Sequence, residues 1–153
     1  MFNPVFNITN KTINTLIDGE YGLDINWAKD GNLGIKLNSV EKNPRLSLID
    51  GSAKLVANFT FLTVPEKCVI ETSKVYCGVP KNIKSGIVLP DDYYKNKEYF
   101  IDDIYELDLP TGAITKLFDG SEVALDAKNL KVKDSSLLFI NRYDNKVYSL
   151  NLN

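Results

Sequence analysis

A chain of 153 residues, 44% hydrophobic and 25% charged, has the composition of one ordinary folded domain with a sizeable core. Its net charge is −2, with lysines and acids interspersed and no basic stripe, which argues against nucleic acid as a partner. No apolar run approaches the ~20 residues of a membrane span, and the absence of histidine removes Ser-His-Asp and Cys-His nucleophiles and every His-ligated metal.

The N-terminal Met1-Phe2-Asn3-Pro4-Val5 has neither a basic region nor a long apolar stretch, so no export signal is expected in the chain as it stands. Phe6 and Ile8 alternate with Val5 and Asn7 as a short strand, Asn10-Lys11 turns, and Thr12 to Gly19 returns. Leu23, Ile25 and Trp27 alternate, Lys29-Asp30-Gly31-Asn32 is a strong turn signal, and Leu33, Ile35 and Leu37 alternate again. Asn43-Pro44 is expected to break this run. Arg45 to Asp50 and Leu55 to Phe59 are the next two strands.

Lys67 to Ile70 and Val75 to Cys77 form a hairpin about Glu71-Thr72-Ser73-Lys74. Pro80 to Phe100 has no strand period. Tyr105, Leu107 and Leu109 then alternate with Glu106 and Asp108, Pro110-Thr111-Gly112 turns, and Ile114 to Phe118 returns. Thr12 to Gly19 repeats Ala113 to Gly120 position by position at Ile, Leu, Asp and Gly, so the N-terminal hairpin is expected to copy this one. Leu130 and Val132, then Leu137 to Ile140, then Val147 to Leu152 are the last strands, with turns at Asp134-Ser135-Ser136 and Tyr143 to Lys146. No helical period of useful length occurs.

Equivalent strands begin at Phe6, Leu46, Tyr105 and Tyr148, separated by 40, 59 and 43 residues. Without roughly 18 residues of the non-periodic segment, the middle interval falls to about 41, inside the ~40–45 residue period of propeller blades. The fold class expected is therefore all-β, with β-propeller-type four-stranded antiparallel blades in an incomplete propeller. One domain spans 1–153, with a partial blade at about 2–19, blades at 20–60 and 61–119, an insertion at 80–100, and a last blade at 120–153. A single four-stranded sheet cannot bury both faces, but stacked siblings can. A β-sandwich or meander with chance self-similarity is the alternative.

Trp27-Ala28-Lys29-Asp30-Gly31-Asn32-Leu33 resembles the inner motif of TolB-type, or WD40-like, propeller blades, and Tyr105 to Gly112 resembles the strand and turn that close such a blade. Ile70 and Val132 stand where the other blades would carry the Trp. The resemblance implies an extracytoplasmic binding or scaffold module, periplasmic or at the cell surface; some members are accessory domains of peptidases. With too few blades to close a ring, the chain is expected to be the C-terminal part of a longer propeller, to self-associate, or to complete its last blade with its first strand.

Cys68 and Cys77 lie symmetrically about Thr72-Ser73, which puts them opposite each other in a non-hydrogen-bonded pair with Cα atoms about 4.5 Å apart. A disulfide is expected, and with it an oxidising compartment; two buried thiols in a reducing compartment are the alternative. Two thiols without further soft ligands make no metal site, and no cofactor is implied.

The insertion carries the candidate binding residues for a protein or carbohydrate: Asp91, Asp92, Tyr93, Tyr94 and Tyr99, with Asp102 and Asp103 at its end. The tyrosines are expected to be partly exposed, and Asp102-Asp103 to cap the start of the next strand. Asp24, Asp30, Glu71, Asp126 and Asp134 read as turn and cap residues. Asn7-Ile8-Thr9, Asn10-Lys11-Thr12 and Asn58-Phe59-Thr60 match the glycosylation acceptor pattern, which chance also produces in an Asn-rich chain. A non-catalytic binding or assembly module is thus the expectation. An enzyme with carboxylates converging on the axis, or a fragment completing a larger propeller, is the alternative.

Overall fold

The computed structural model describes residues 5–7 and 12–153, with side chains from residue 13 onward. The alternating segments become thirteen strands among the described residues. A two-stranded hairpin, β1 (Val5–Asn7) and β2 (Thr12–Asn14), precedes three larger sheets. The first sheet is β3 (Tyr21–Trp27), β4 (Leu33–Val40), β5 (Asn43–Asp50) and β6 (Leu55–Asn58). The second is β7 (Cys68–Glu71), β8 (Lys74–Pro80), β9 (Asp102–Asp108) and β10 (Ile114–Phe118). The third is β11 (Ala127–Lys133), β12 (Ser136–Asn141) and β13 (Val147–Asn151).

Every sheet is an antiparallel meander in which chain neighbours are sheet neighbours, and among the described residues no strand ladder joins one sheet to the next. The first strands of the sheets approach each other instead: β7 lies against both β3 and β11. The fold is all-β, and among the described residues its sheets close into neither a barrel nor a ring, an arrangement consistent with an incomplete propeller.

Three local expectations change. Asn43-Pro44 does not break the run. Glu41 and Lys42 both take positive φ (50° and 68°) in a two-residue turn, and β5 starts at once. Pro44 pairs with Ser39 one step from the turn, in a non-hydrogen-bonded position, and β6 pairs with β5 only from Ser47 on, so no ladder bond needs its missing N–H. The N-terminal copy is shorter than its template: β2 ends at Asn14, so Leu16 and Ile17 are not in a strand while Leu117 and Phe118 are. The turn at Asn10-Lys11 lies outside the described residues. Finally, β1 pairs with β2 and not with the third sheet, so the first strand does not complete the last sheet among the described residues.

Two cores fill the gaps between sheets. Ile35, Leu37, Leu46 and Leu48 of the first sheet meet Val75, Cys77 and Val79 of the second. Tyr76 and Ile104, on the opposite face of the second sheet, meet Ala127, Leu130, Leu137 and Phe139 of the third. Alternation sends successive β8 side chains to different neighbours, so β8 is buried on both faces. On the outer face of the first sheet, Trp27 lies flat over Gly34, its cross-strand partner. A Cβ at Gly34 would stand 2.8 Å from Cε3 of that indole.

The Glu71–Lys74 turn sets the register of the second hairpin and brings Cys68 opposite Cys77. The two form a buried disulfide with Cα atoms 4.1 Å apart. A disulfide of this kind implies an oxidising compartment. No helix among the described residues is long and apolar enough to cross a membrane.

Gly34→Val is expected to lose about 1–3 kcal/mol of stability through overpacking, with a shift in the emission of Trp27, the single tryptophan, as the local readout. Replacing Cys68 and Cys77 together by Ala is expected to cost about 2–3 kcal/mol in urea unfolding, the loop-closure value for a short bridged loop.

Candidate functional site

The insertion leaves the second sheet after Pro80 and rejoins it at Asp102. Inside it, a single helical turn, α1 (Asp91–Tyr94), follows a cis Leu89–Pro90 bond. Asp92 fixes the turn by accepting the Val88 N–H at 2.9 Å and pairing with Lys97 at 3.1 Å. Consecutive tyrosines of the turn point opposite ways. Tyr93 is turned in, 2% exposed, with its ring stacked on Phe100 and its hydroxyl donating to Glu66 Oε2 at 2.8 Å. Tyr94 is turned out, 48% exposed, and donates to Asp24 Oδ2 on β3 at 2.8 Å.

Beneath the insertion sits a cluster of four charges that sequence reading missed in three of its members. Lys67 closes a 3-10 turn (Pro65–Lys67), Asp102 begins β9, Asp126 precedes β11 and Arg142 follows β12. The Lys67, Asp102 and Asp126 side chains have no accessible surface, and that of Arg142 has almost none. Lys67 Nζ lies 2.6 Å from Asp102 Oδ2 and also contacts Asp126 Oδ1. Arg142 Nη1 donates to Asp126 Oδ2 at 2.8 Å, and its Nη2 donates to the Tyr93 carbonyl and to Asn96 Oδ1, both at 3.1 Å. The guanidinium lies over the Tyr93 ring and packs beside Tyr99.

Two cations and two anions balance, the condition for burying charge at all. Burial is the main cause that pushes the Asp102 carboxyl up, to about 6; Lys67 opposes it and Asp126 reinforces it. Backbone geometry is tight here too. The Asp102 N–H donates to the Leu125 carbonyl at 2.7 Å, and a Cβ at Gly120 would collide with the Asp102 carbonyl.

The open surface is elsewhere. A cleft of about 740 Å³ runs between Asp24, Asn26, Glu66 and Tyr94 on one wall and Lys131, Ile140 and Val147 of the third sheet on the other. A second hollow of about 490 Å³, lined by Tyr21, Gly22, Pro90 and Asp91, shares Asp24 and Tyr94 with the first. The Asp24–Tyr94 pair is therefore the ridge between them. Burial raises the Asp24 carboxyl, the Tyr94 hydrogen bond counters this, and nearby Glu66 adds to it. Burial and the Asp24 charge push the Tyr94 hydroxyl well above the phenol range, so it stays a donor.

The sequence candidates divide accordingly. Asp91, Tyr94 and Tyr99 are exposed, and Asp92 is half-buried on its turn. Tyr93, Asp102 and Asp103 are buried, which corrects their expectation as surface groups: their partners are all within the chain. Asp102 and Asp103 are not simple strand caps. Asp103 pairs with Lys81 at 3.0 Å and Lys116 at 2.8 Å, and accepts the Gly120 N–H at 3.0 Å. Asp126, read as a turn residue, belongs to the buried cluster. Two acids do converge, Asp102 and Asp126, but on Lys67 and without an opening to solvent. Among the described residues no three His, Cys, Asp or Glu side chains are placed to hold a metal. One signal could have found Arg142, which the sequence reading passed over: it is one of two arginines in a lysine-rich chain, and the rigid forked donor suits a site that needs several acceptors bridged at once. No family model matches the chain, and no curated protein matches it significantly.

Although burial acts to raise Asp103, hydrogen bonds from Lys116, Gly120 and Lys81 hold it below the usual carboxylate range, and Lys81 with the Ser121 N–H does the same for Asp119. Depressed carboxyls contribute stability that is present above their unfolded values and lost as pH falls through their folded ones. The melting temperature is expected to drop from about pH 4 down to about pH 2, and Asp103→Asn to reduce that drop.

Proposed function

We propose that this protein is a non-catalytic binding module of the TolB-type or WD40-like propeller class, working in an extracytoplasmic compartment. The disulfide supports the compartment, and the stacked meanders support the class. The observation that carries the reading is the Asp24–Tyr94 ridge: a half-exposed tyrosine and two carboxylates, Asp24 and Glu66, stand between two hollows, raised there by the insertion. Aromatic faces stack on sugar rings or apolar side chains, and carboxylates accept hydroxyl or ammonium donors. The ligand this surface suits is a carbohydrate or a basic protein segment.

Glycan and peptide arrays followed by calorimetry on the hits test it. Tyr94→Ala with Asp24→Ala is expected to weaken binding at least tenfold, about 1.4 kcal/mol, with circular dichroism unchanged. Unchanged affinity in that variant, or no binding by the wild type, would count against the reading. Exposed Leu55 (62%) and Val147 (70%), on the first and third sheets, favour a second reading as an assembly module, in which light scattering finds a mass above one chain.

A further inference from the structure

The buried cluster contains more than an ion pair. Lys67 Nζ is held against Asp126 Oδ1 and 2.6 Å from Asp102 Oδ2, with the Tyr93 and Phe100 ring centroids 5.4 and 5.5 Å away. The two oxygens of Asp126 are treated differently. Oδ2 receives two fixed donors, Arg142 Nη1 at 2.8 Å and the Phe100 N–H at 2.9 Å, while Oδ1 faces the amine. Asp102 is also asymmetric: its Oδ2 accepts the Ala127 N–H at 2.7 Å, while its Oδ1 is buried with no hydrogen-bond partner. An orphaned, buried carboxylate oxygen is costly. Protonating this carboxyl removes the charge and lowers that cost, and Lys67 Nζ, 2.6 Å from Oδ2, is placed to deliver the proton.

We propose that Lys67 and Asp126 condense after folding into an intramolecular isopeptide bond, with Asp102 as the catalytic acid–base residue. Asp102 takes a proton from the Lys67 ammonium, and the free amine attacks Cγ of Asp126. The tetrahedral adduct carries its negative charge on Oδ2, where Arg142 and the Phe100 N–H stabilise it as an oxyanion hole does. The proton held by Asp102 and the second amine proton go to Oδ1, which leaves as water. One ammonium and one carboxylate become one amide and one water. Asp102 returns to its starting state, and no oxidant, reductant or other reactant is consumed.

The surroundings favour the product. Condensation removes two charges from a solvent-free interior, and Asp102 with Arg142 remains a balanced pair. The reactants come from segments 59 residues apart and meet only in the fold, which supplies the effective concentration. Exclusion of water protects the amide from reversal. An Asp102 carboxyl pushed up to about 6 by burial exchanges protons near neutrality. The bond ties the leading segments of the second and third sheets, which share no strand ladder.

Mass spectrometry of the reduced, denatured wild-type chain tests this without any variant. The expected mass is lower than that of the sequence by one water, and a protease digest yields a branched peptide joining Lys67 to Asp126. Asp102→Asn and Lys67→Met are expected to show the full mass, with circular dichroism reporting that they fold. Full mass in the wild type overturns the proposal. So does loss of water with only linear peptides, which marks a succinimide. A cross-link that persists in Asp102→Asn overturns the role given to Asp102.

Discussion

Three sheets that share no strand ladder among the described residues need something directional to fix how they meet, and the cluster of Lys67, Asp102, Asp126 and Arg142 supplies it. Apolar packing between sheets is strong but tolerant of sliding, because its energy follows area and not angle. Buried charges tolerate nothing of the kind. Each must keep its partner or bear a desolvation cost of several kcal/mol. The four side chains come from the turn before β7, the start of β9, the segment before β11 and the end of β12, so satisfying them sets the second and third sheets at one relative position.

The same cluster makes the insertion part of the rigid body. A segment of some twenty residues without strand ladders would carry a large conformational entropy. Arg142 removes that freedom at three points by donating to the Tyr93 and Glu98 carbonyls and to the Asn96 side chain. Tyr93 then anchors from below, against Phe100 and Glu66. What remains outside is Tyr94, set on Asp24 of the first sheet. The buried tyrosine positions its exposed neighbour, and the proposed recognition surface inherits its geometry from the charge cluster beneath it.

Burial is distributed unevenly for a related reason. The second sheet has siblings on both sides, so β8 is buried on both faces. The first and third sheets have a sibling on one side only, and apolar groups such as Leu55 and Val147 stay open on their strands. A repeat of sheets is dry in its middle and wet at its flanks, whatever its ends are joined to.

Much of this was legible in the sequence because it is encoded over short distances. Alternation gave the strands, and turn residues gave their ends. The two-residue loop at Thr72-Ser73 gave the register that sets Cys68 opposite Cys77, since pair type alternates outward from a turn of known length. The same arithmetic applies to Pro44, whose place beside the Glu41-Lys42 turn makes a proline harmless, although composition alone suggested a break. The buried cluster is different in kind. Nothing local separates Lys67 from any lysine at the start of a strand, or Asp126 from any aspartate in a turn. Their character comes from the loss of water around them, and that happens only when segments 59 and 16 residues apart are packed together. Periodicity within ten residues determined the sheets. Long-range packing alone decided which charges would be stripped of solvent and made to answer to one another.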